Sequence, residues 1–160
     1  MRDDLKDRLR SAFTVGRPPG ETISAPAMSA PPDDPFLRDF RVKTERVVVP
    51  AMTEIGHLIE RHGRFFSIER IAERFTCHGV LVPTSVQMNI FRRHMTVNFK
   101  NGAPHFNVIC DRARRRVLFQ RTTLLSGAGP EDVGTATLDA LTRDLVQDKI
   151  AAMLDTLARP

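Results

Sequence analysis

Tryptophan and tyrosine are absent from this chain of 160 residues, and ten phenylalanines supply its only benzene rings. Any core must therefore be assembled from aliphatic side chains and phenylalanine, neither of which brings a polar handle into the interior. Cysteine is scarce: Cys77 and Cys110 cannot make a disulfide scaffold. A zinc site built from Cys77, His78, His94, His105 and Cys110 fails on geometry. The strand alternation sends His94 and His105 to one face of a sheet and Cys110 to the other, against the closed tetrahedral set such a site needs. No cofactor is expected. No apolar run approaches the roughly 18 residues of a membrane span, and Met1-Arg2-Asp3-Asp4-Leu5 lacks a secretory hydrophobic region. The expectation is a cytoplasmic protein away from membranes. Ser126-Gly127-Ala128-Gly129-Pro130 lacks the Lys-Ser/Thr ending of a phosphate-binding loop. No internal repeat is visible.

What is present is a basic chain with 41% hydrophobic residues and a net charge of +5 that is spread unevenly. Segment 84–124 sets eight Lys and Arg against Asp111 alone, whereas 125–160 sets three against six acids. The positive excess thus belongs to the middle of the chain rather than to a tail, which suggests an anionic partner. Residues 1–15 form a short peptide in which Leu5, Leu9, Ala12 and Phe13 keep helical spacing, although a helix of that length is marginal in water. Residues 16–32, rich in proline and small side chains, form a flexible linker. Residues 33–160 are then one domain.

That domain opens with a helix start, an acidic cap at Asp33-Asp34 followed by Pro35 at the first helical position. Phe36, Leu37, Phe40, Val48, Met52, Ile55 and Ile59 continue at helical spacing up to Gly63, a natural stop. Such a helix runs roughly 40 Å, longer than a strand of about 20 Å, so one end overhangs and offers a surface for a second copy. Pro50 predicts a bend between Arg46 and Pro50. Ser67–Phe75 suits a helix, with Ile68, Ile71, Ala72 and Phe75 on one face; Phe66 and Ile68 also suit a short strand, and the helix is preferred. A helix-turn-helix from Ile71 to Val86 is disfavoured, because Gly79 and Pro83 fall in the wrong places for that motif.

Residues 84–124 alternate apolar and polar in four runs: 86–90, 94–99, 105–110 and 117–122. Asn101-Gly102 supplies a tight turn. Pairing Val97 with Phe106, Met88 with Val97, Val108 with Val117 and Phe106 with Phe119 collects the apolar groups on one face, since a one-residue slip would swap the faces. Ala136 and Leu138 suggest a fifth strand, and Thr142 caps a last helix. The predicted fold is a two-layer α+β domain. A four- to five-stranded antiparallel meander is packed on one face by the long N-terminal helix and the C-terminal helix.

Two candidate sites follow. The other face of the sheet carries Gln87, Asn89, Asn98, His105, Asn107 and Gln120, uncharged hydrogen-bonding groups suited to a partner, although side-chain amides also pair with one another across strands. The turns at Phe91–His94 and Asp111–Arg114 are expected at one end of the meander. That arrangement would crowd Arg92, Arg93, Arg112, Arg114, Arg115 and Arg116 into an anion-binding rim. A catalytic cleft needs a carboxylate near His94 or His105, and none is expected there, so an enzyme is disfavoured. The expected function is a non-catalytic protein-binding or structural module, homodimeric, engaging its partner through the sheet face or the arginine rim. The alternative is a nucleic-acid or phosphate binder that uses the rim with little sequence specificity.

Overall fold

A computed structural model describes residues 34–92, 103–123 and 129–158. The chain divides into units 1–32 and 33–160, and the elements below belong to the second. The N-terminal peptide, the linker, the Asn101-Gly102 turn, Arg93 and Asn98 lie outside the described residues.

Asp34 caps the first helix, α1 (Pro35–Lys43), by accepting from the Phe36 amide at 3.0 Å, and Pro35 occupies the first turn. The helix continues through a π-helical turn, Thr44–Val48, into α2 (Val49–Arg61). Pro50 has no amide to donate to Arg46, and Val47, Val48 and Val49 are poor helix formers. The ladder relaxes accordingly, and the Val49 amide reaches back five residues to the Thr44 carbonyl. Gly63, at φ 77°, ends the helix.

Next come β1 (Arg64–Ile71), a small hairpin of β2 (Arg74–Phe75) and β3 (Leu81–Val82), then β4 (Ser85–Arg92), β5 (His105–Asp111), β6 (Arg116–Thr122) and β7 (Glu131–Ala136). The last element is α3 (Arg143–Ala158), with Thr142 Oγ1 accepting from the Leu145 amide at 3.3 Å. The main sheet has the order β1-β4-β5-β6-β7, every neighbouring pair antiparallel. It is a meander once the small hairpin is set aside. Phe106, Val108, Cys110, Val117 and Phe119 of the sheet are buried together with Phe40, Val48 and Met52 of the long helix and Val146, Ile150 and Met153 of α3. The domain is a two-layer α+β fold with both helices on one face of the sheet.

Three expectations are corrected. The helix preferred over 67–75 is instead the end of strand β1, whose Phe66 and Ile68 pack toward the core, followed by strand β2 at Arg74–Phe75. β4 and β5 pair directly, Met88 with Phe106 and Val86 with Val108, in place of the expected pairings with a strand over 94–99, whose residues lie outside the described ones. The β5–β6 register is shifted by two: Val108 meets Phe119 and Phe106 meets Arg121. The cause is the turn. Asp111 pairs with Arg116 across a loop of four residues rather than two, with Arg115 at φ 47°. Asp111 Oδ1 accepts from the Arg114 amide at 3.2 Å. A shift of two leaves the faces unchanged, so the division into apolar and polar sides survives.

Candidate functional site: the open face of the sheet

The face turned away from the helices is organised in cross-strand rows. Glu69, Gln87, Asn107, Gln120 and Asp132 stand in one row across all five strands, and Ser67, Asn89, His105 and Thr122 in the next. Gln87, Asn89, His105, Asn107 and Gln120 therefore share a face as expected, although the rows are composed differently. The amides do pair with one another. Gln87 Nε2 donates to Asn89 Oδ1 at 2.6 Å, and Asn89 Nδ2 donates to Ser67 Oγ at 3.2 Å. Gln120 Nε2 donates to Asp132 Oδ1 at 2.7 Å. Asn107 Oδ1, in the middle of the sheet, is buried without a hydrogen-bond partner. His105 Nδ1 lies 2.9 Å from the Ala103 carbonyl, which holds the ring when that nitrogen carries the proton.

Toward the Asp111 end this face turns apolar. Leu81, Pro83, Ile109, Ala113 and Leu118 line a groove of about 520 Å³, with Asp34, Glu73 and Arg112 at its border. The root of the β2–β3 hairpin thus adjoins the open face. The hairpin itself exposes Phe75, Val80 and Leu81 at 49%, 61% and 48%.

The arginine rim is not one rim. β4 runs antiparallel to β5, so Arg92 ends the sheet opposite Arg64, at the far end from the 112–115 loop. Its expected neighbourhood with Arg112 is corrected for that reason. Arg112, Arg114, Arg115 and Arg116 do cluster, but the chain supplies their counter-charges. Arg112 donates to Asp34 Oδ2 at 3.1 Å and to Glu73 Oε1 at 2.7 Å. Arg116 donates to Asp111 at 2.9 Å, and Arg114 contacts the same oxygen at 3.5 Å. Arg115 reaches Asp34 at 3.7 Å and sits over the Phe36 ring at 6.0 Å. Four cations against three carboxylates leave a surplus of one. The Arg116 hydrogen bond, more than any other contact, holds the Asp111 carboxyl below its ordinary pKa. For Asp34, burial pulls the value upward, but the Phe36 amide, Arg112 and Arg115 outweigh it and the carboxyl also ends low. Burial pushes the Cys110 thiol up to about 12, as fits its place on the core side, opposite His105.

Glu69 and Asp132, which cap the two ends of the polar row, were not foreseen. Glu69 falls in the segment whose spacing favours a helix, and Asp132 precedes Ala136 and Leu138, the residues whose alternation suggests a fifth strand. Reading 64–71 as alternating would have found the first. No family model matches the chain, and no curated protein or solved structure matches it either.

Proposed function

We propose that this protein is a non-catalytic binding module that engages a protein surface, in the first instance a second copy of itself, through the open face and the adjoining β2–β3 hairpin. The observation that carries this reading is the makeup of that face. It is a five-stranded surface of paired amides grading into an apolar groove, with none of the lysines usual on a solvated sheet. Five strands of about seven residues at spacings of about 4.8 Å and 3.3 Å present roughly 500 Å². A stable interface needs about 800 Å² per partner, so the partner must also cover Phe75, Val80 and Leu81 of the hairpin. The phosphate-binding reading has less support, because three carboxylates answer the four clustered arginines and leave a surplus of only one positive charge.

The test is light scattering of the full chain across a concentration series, alongside an Ile109→Glu/Leu118→Glu variant. Reversible dimerisation, lost in the variant with its circular dichroism unchanged, is the expected result. A chain that stays monomeric, and that forms no adduct to any co-purified protein from a photo-crosslinker at Leu118, refutes the reading.

A further inference from the structure

A second surface lies along the outer edge of β1. The main sheet ends in two edge strands, β1 and β7, and an open edge invites another chain to pair unless it is blunted. β7 is blunted. Its pairing with β6 is broken by a bulge between Phe119 and Gln120, Gly134 turns to φ 127°, and Lys149 Nζ donates to the Val133 carbonyl at 2.6 Å. β1 has none of these devices: it pairs with β4 residue for residue from Arg64 to Ile71, without a break, a proline or a glycine. The alternation of the ladder shows which groups it leaves open. The Ile90 amide donates to the Pro104 carbonyl and the Cys110 amide to the Thr84 carbonyl, each at 2.9 Å. Even-numbered residues along 84–90 thus bond toward β5 and odd-numbered ones toward β1. Residues 65, 67, 69 and 71 therefore bond β4, and the amides and carbonyls of Arg64, Phe66, Ile68 and Arg70 point outward. Among the described residues, no backbone group bonds them.

We propose that this edge receives an extended segment of a partner protein, which adds a sixth strand to the sheet. An extended backbone presents donors and acceptors at the alternate-residue spacing that these four residues leave open. Side chains paired across strands share a face. The segment therefore needs apolar side chains opposite Phe66 and Ile68, which pack against the core. It also needs an acidic residue opposite Arg64. Arg70, at the other end of β1, donates to both oxygens of Glu45, at 2.6 and 2.8 Å, and is neutralised. No ion pair among the described residues answers Arg64 or, at the end of α2, Arg61. A second copy of β1 does not meet that need. Its one acid, Glu69, lies on the open face whereas Arg64 lies on the helix face, so no register of self-pairing sets the two opposite each other.

The test is selection of binders to the full chain from a random octapeptide phage library, followed by hydrogen exchange read by amide NMR with the selected peptides made synthetically. The peptides should alternate apolar and polar and carry an acid near one end. Their binding should slow exchange of the outward amides of 64, 66, 68 and 70 and leave those of 65, 67 and 69, already bonded to β4, unchanged. Arg70→Pro removes one outward donor, a change that an edge strand tolerates. It should weaken binding about three- to tenfold, the equivalent of one hydrogen bond. Arg64→Glu should weaken it about fivefold and serves if the proline variant fails to fold. The Ile109→Glu/Leu118→Glu variant should bind the peptides as the parent does, which judges the edge separately from the groove. Four results would overturn the proposal: a library that yields no binder, binders that protect none of the outward amides, loss of binding in the groove variant, or protection that grows with protein concentration in the absence of peptide. The last would make a second copy the occupant.

Discussion

Gly56 is a buried position of α2 at which alanine should be harmful, against the ordinary expectation for a helix interior. Alanine there would gain about 1 kcal/mol of helix propensity over glycine. A Cβ on Gly56, however, would lie 2.4 Å from both Cε2 and Cζ of Phe66 and 2.5 Å from its Cε1. Carbon atoms in contact sit about 3.5–4.0 Å apart, so the ring must retreat by more than about 1 Å. That ring belongs to edge strand β1 and also meets the His57 ring edge-on at 5.7 Å. Overpacking of this kind costs about 1–3 kcal/mol. The net effect of Gly56→Ala should be a loss of about 1 kcal/mol. With a urea slope of about 1–3 kcal/mol per molar, the midpoint should fall by about half a molar. A double-mutant cycle isolates the cause: in a Phe66→Leu background the same substitution should reverse sign and stabilise. If Gly56→Ala raises the midpoint in the parent, or acts with the same sign in both backgrounds, the direct seat of Phe66 on the helix backbone is refuted.

Acid titration gives a second expectation. The carboxyls of Asp34, Asp111 and Glu45 are all held below their ordinary values of 3.8 and 4.5, Glu45 chiefly by its hydrogen bonds from Arg70. A lowered carboxyl favours the fold above its unfolded value, and that contribution disappears as pH falls through the folded value. The urea midpoint should thus hold steady down to about pH 5 and drop below about pH 4; a midpoint that climbs on acidification would contradict these pairings. Iodoacetamide should modify exposed Cys77 alone in the native protein and both cysteines in denaturant, because Cys110 is buried with its thiol at about 12; mass spectrometry reads the difference. A gel shift with labelled DNA should show no complex near 0.15 M salt, and a complex whose affinity falls steeply with added salt would restore the phosphate-binding reading.

Much of the fold was legible because its signals are local. The acidic cap at Asp34, the stop at Gly63 and the cap at Thr142 each act within a few residues. Alternation likewise assigned Phe106, Val108 and Phe119 to one side of the sheet and Asn107 and Gln120 to the other. Register was not legible, because a period of two cannot distinguish pairings that differ by two. Nothing in Asp-Arg-Ala-Arg-Arg-Arg announces a loop of four residues, since the residue that turns left-handed is Arg115 rather than glycine or asparagine. β1 was missed because Ile68, Ile71, Ala72 and Phe75 satisfy helical spacing while Phe66 and Ile68 satisfy alternation, and partner strand β4 decided between them. The neutralised arginines depend on Asp34, 78 residues before Arg112 in the chain, a distance no window of neighbours spans.

The π-helical turn also fixes how the long helix is indexed. Phe36, Phe40, Thr44, Val48 and Met52 recur every four residues, and on an α-helix each such step overshoots a full turn by about 40°. The wider winding at Thr44–Val48 absorbs part of that overshoot, which keeps both halves of the stripe aimed at one sheet. A π-turn closes with five residues where an α-turn closes with four, so excising one residue there would let the ladder close as an ordinary α-helix and leave the upstream half near its present bearing. Phe36 and Phe40 would stay on the side facing the sheet, drawn along the axis by about one residue's rise of 1.5 Å. A single missing codon at that spot is thus the one the long helix is built to absorb, whereas the same deletion within the regular turns of 52–59 would swing the leading half by about 100° and undock it.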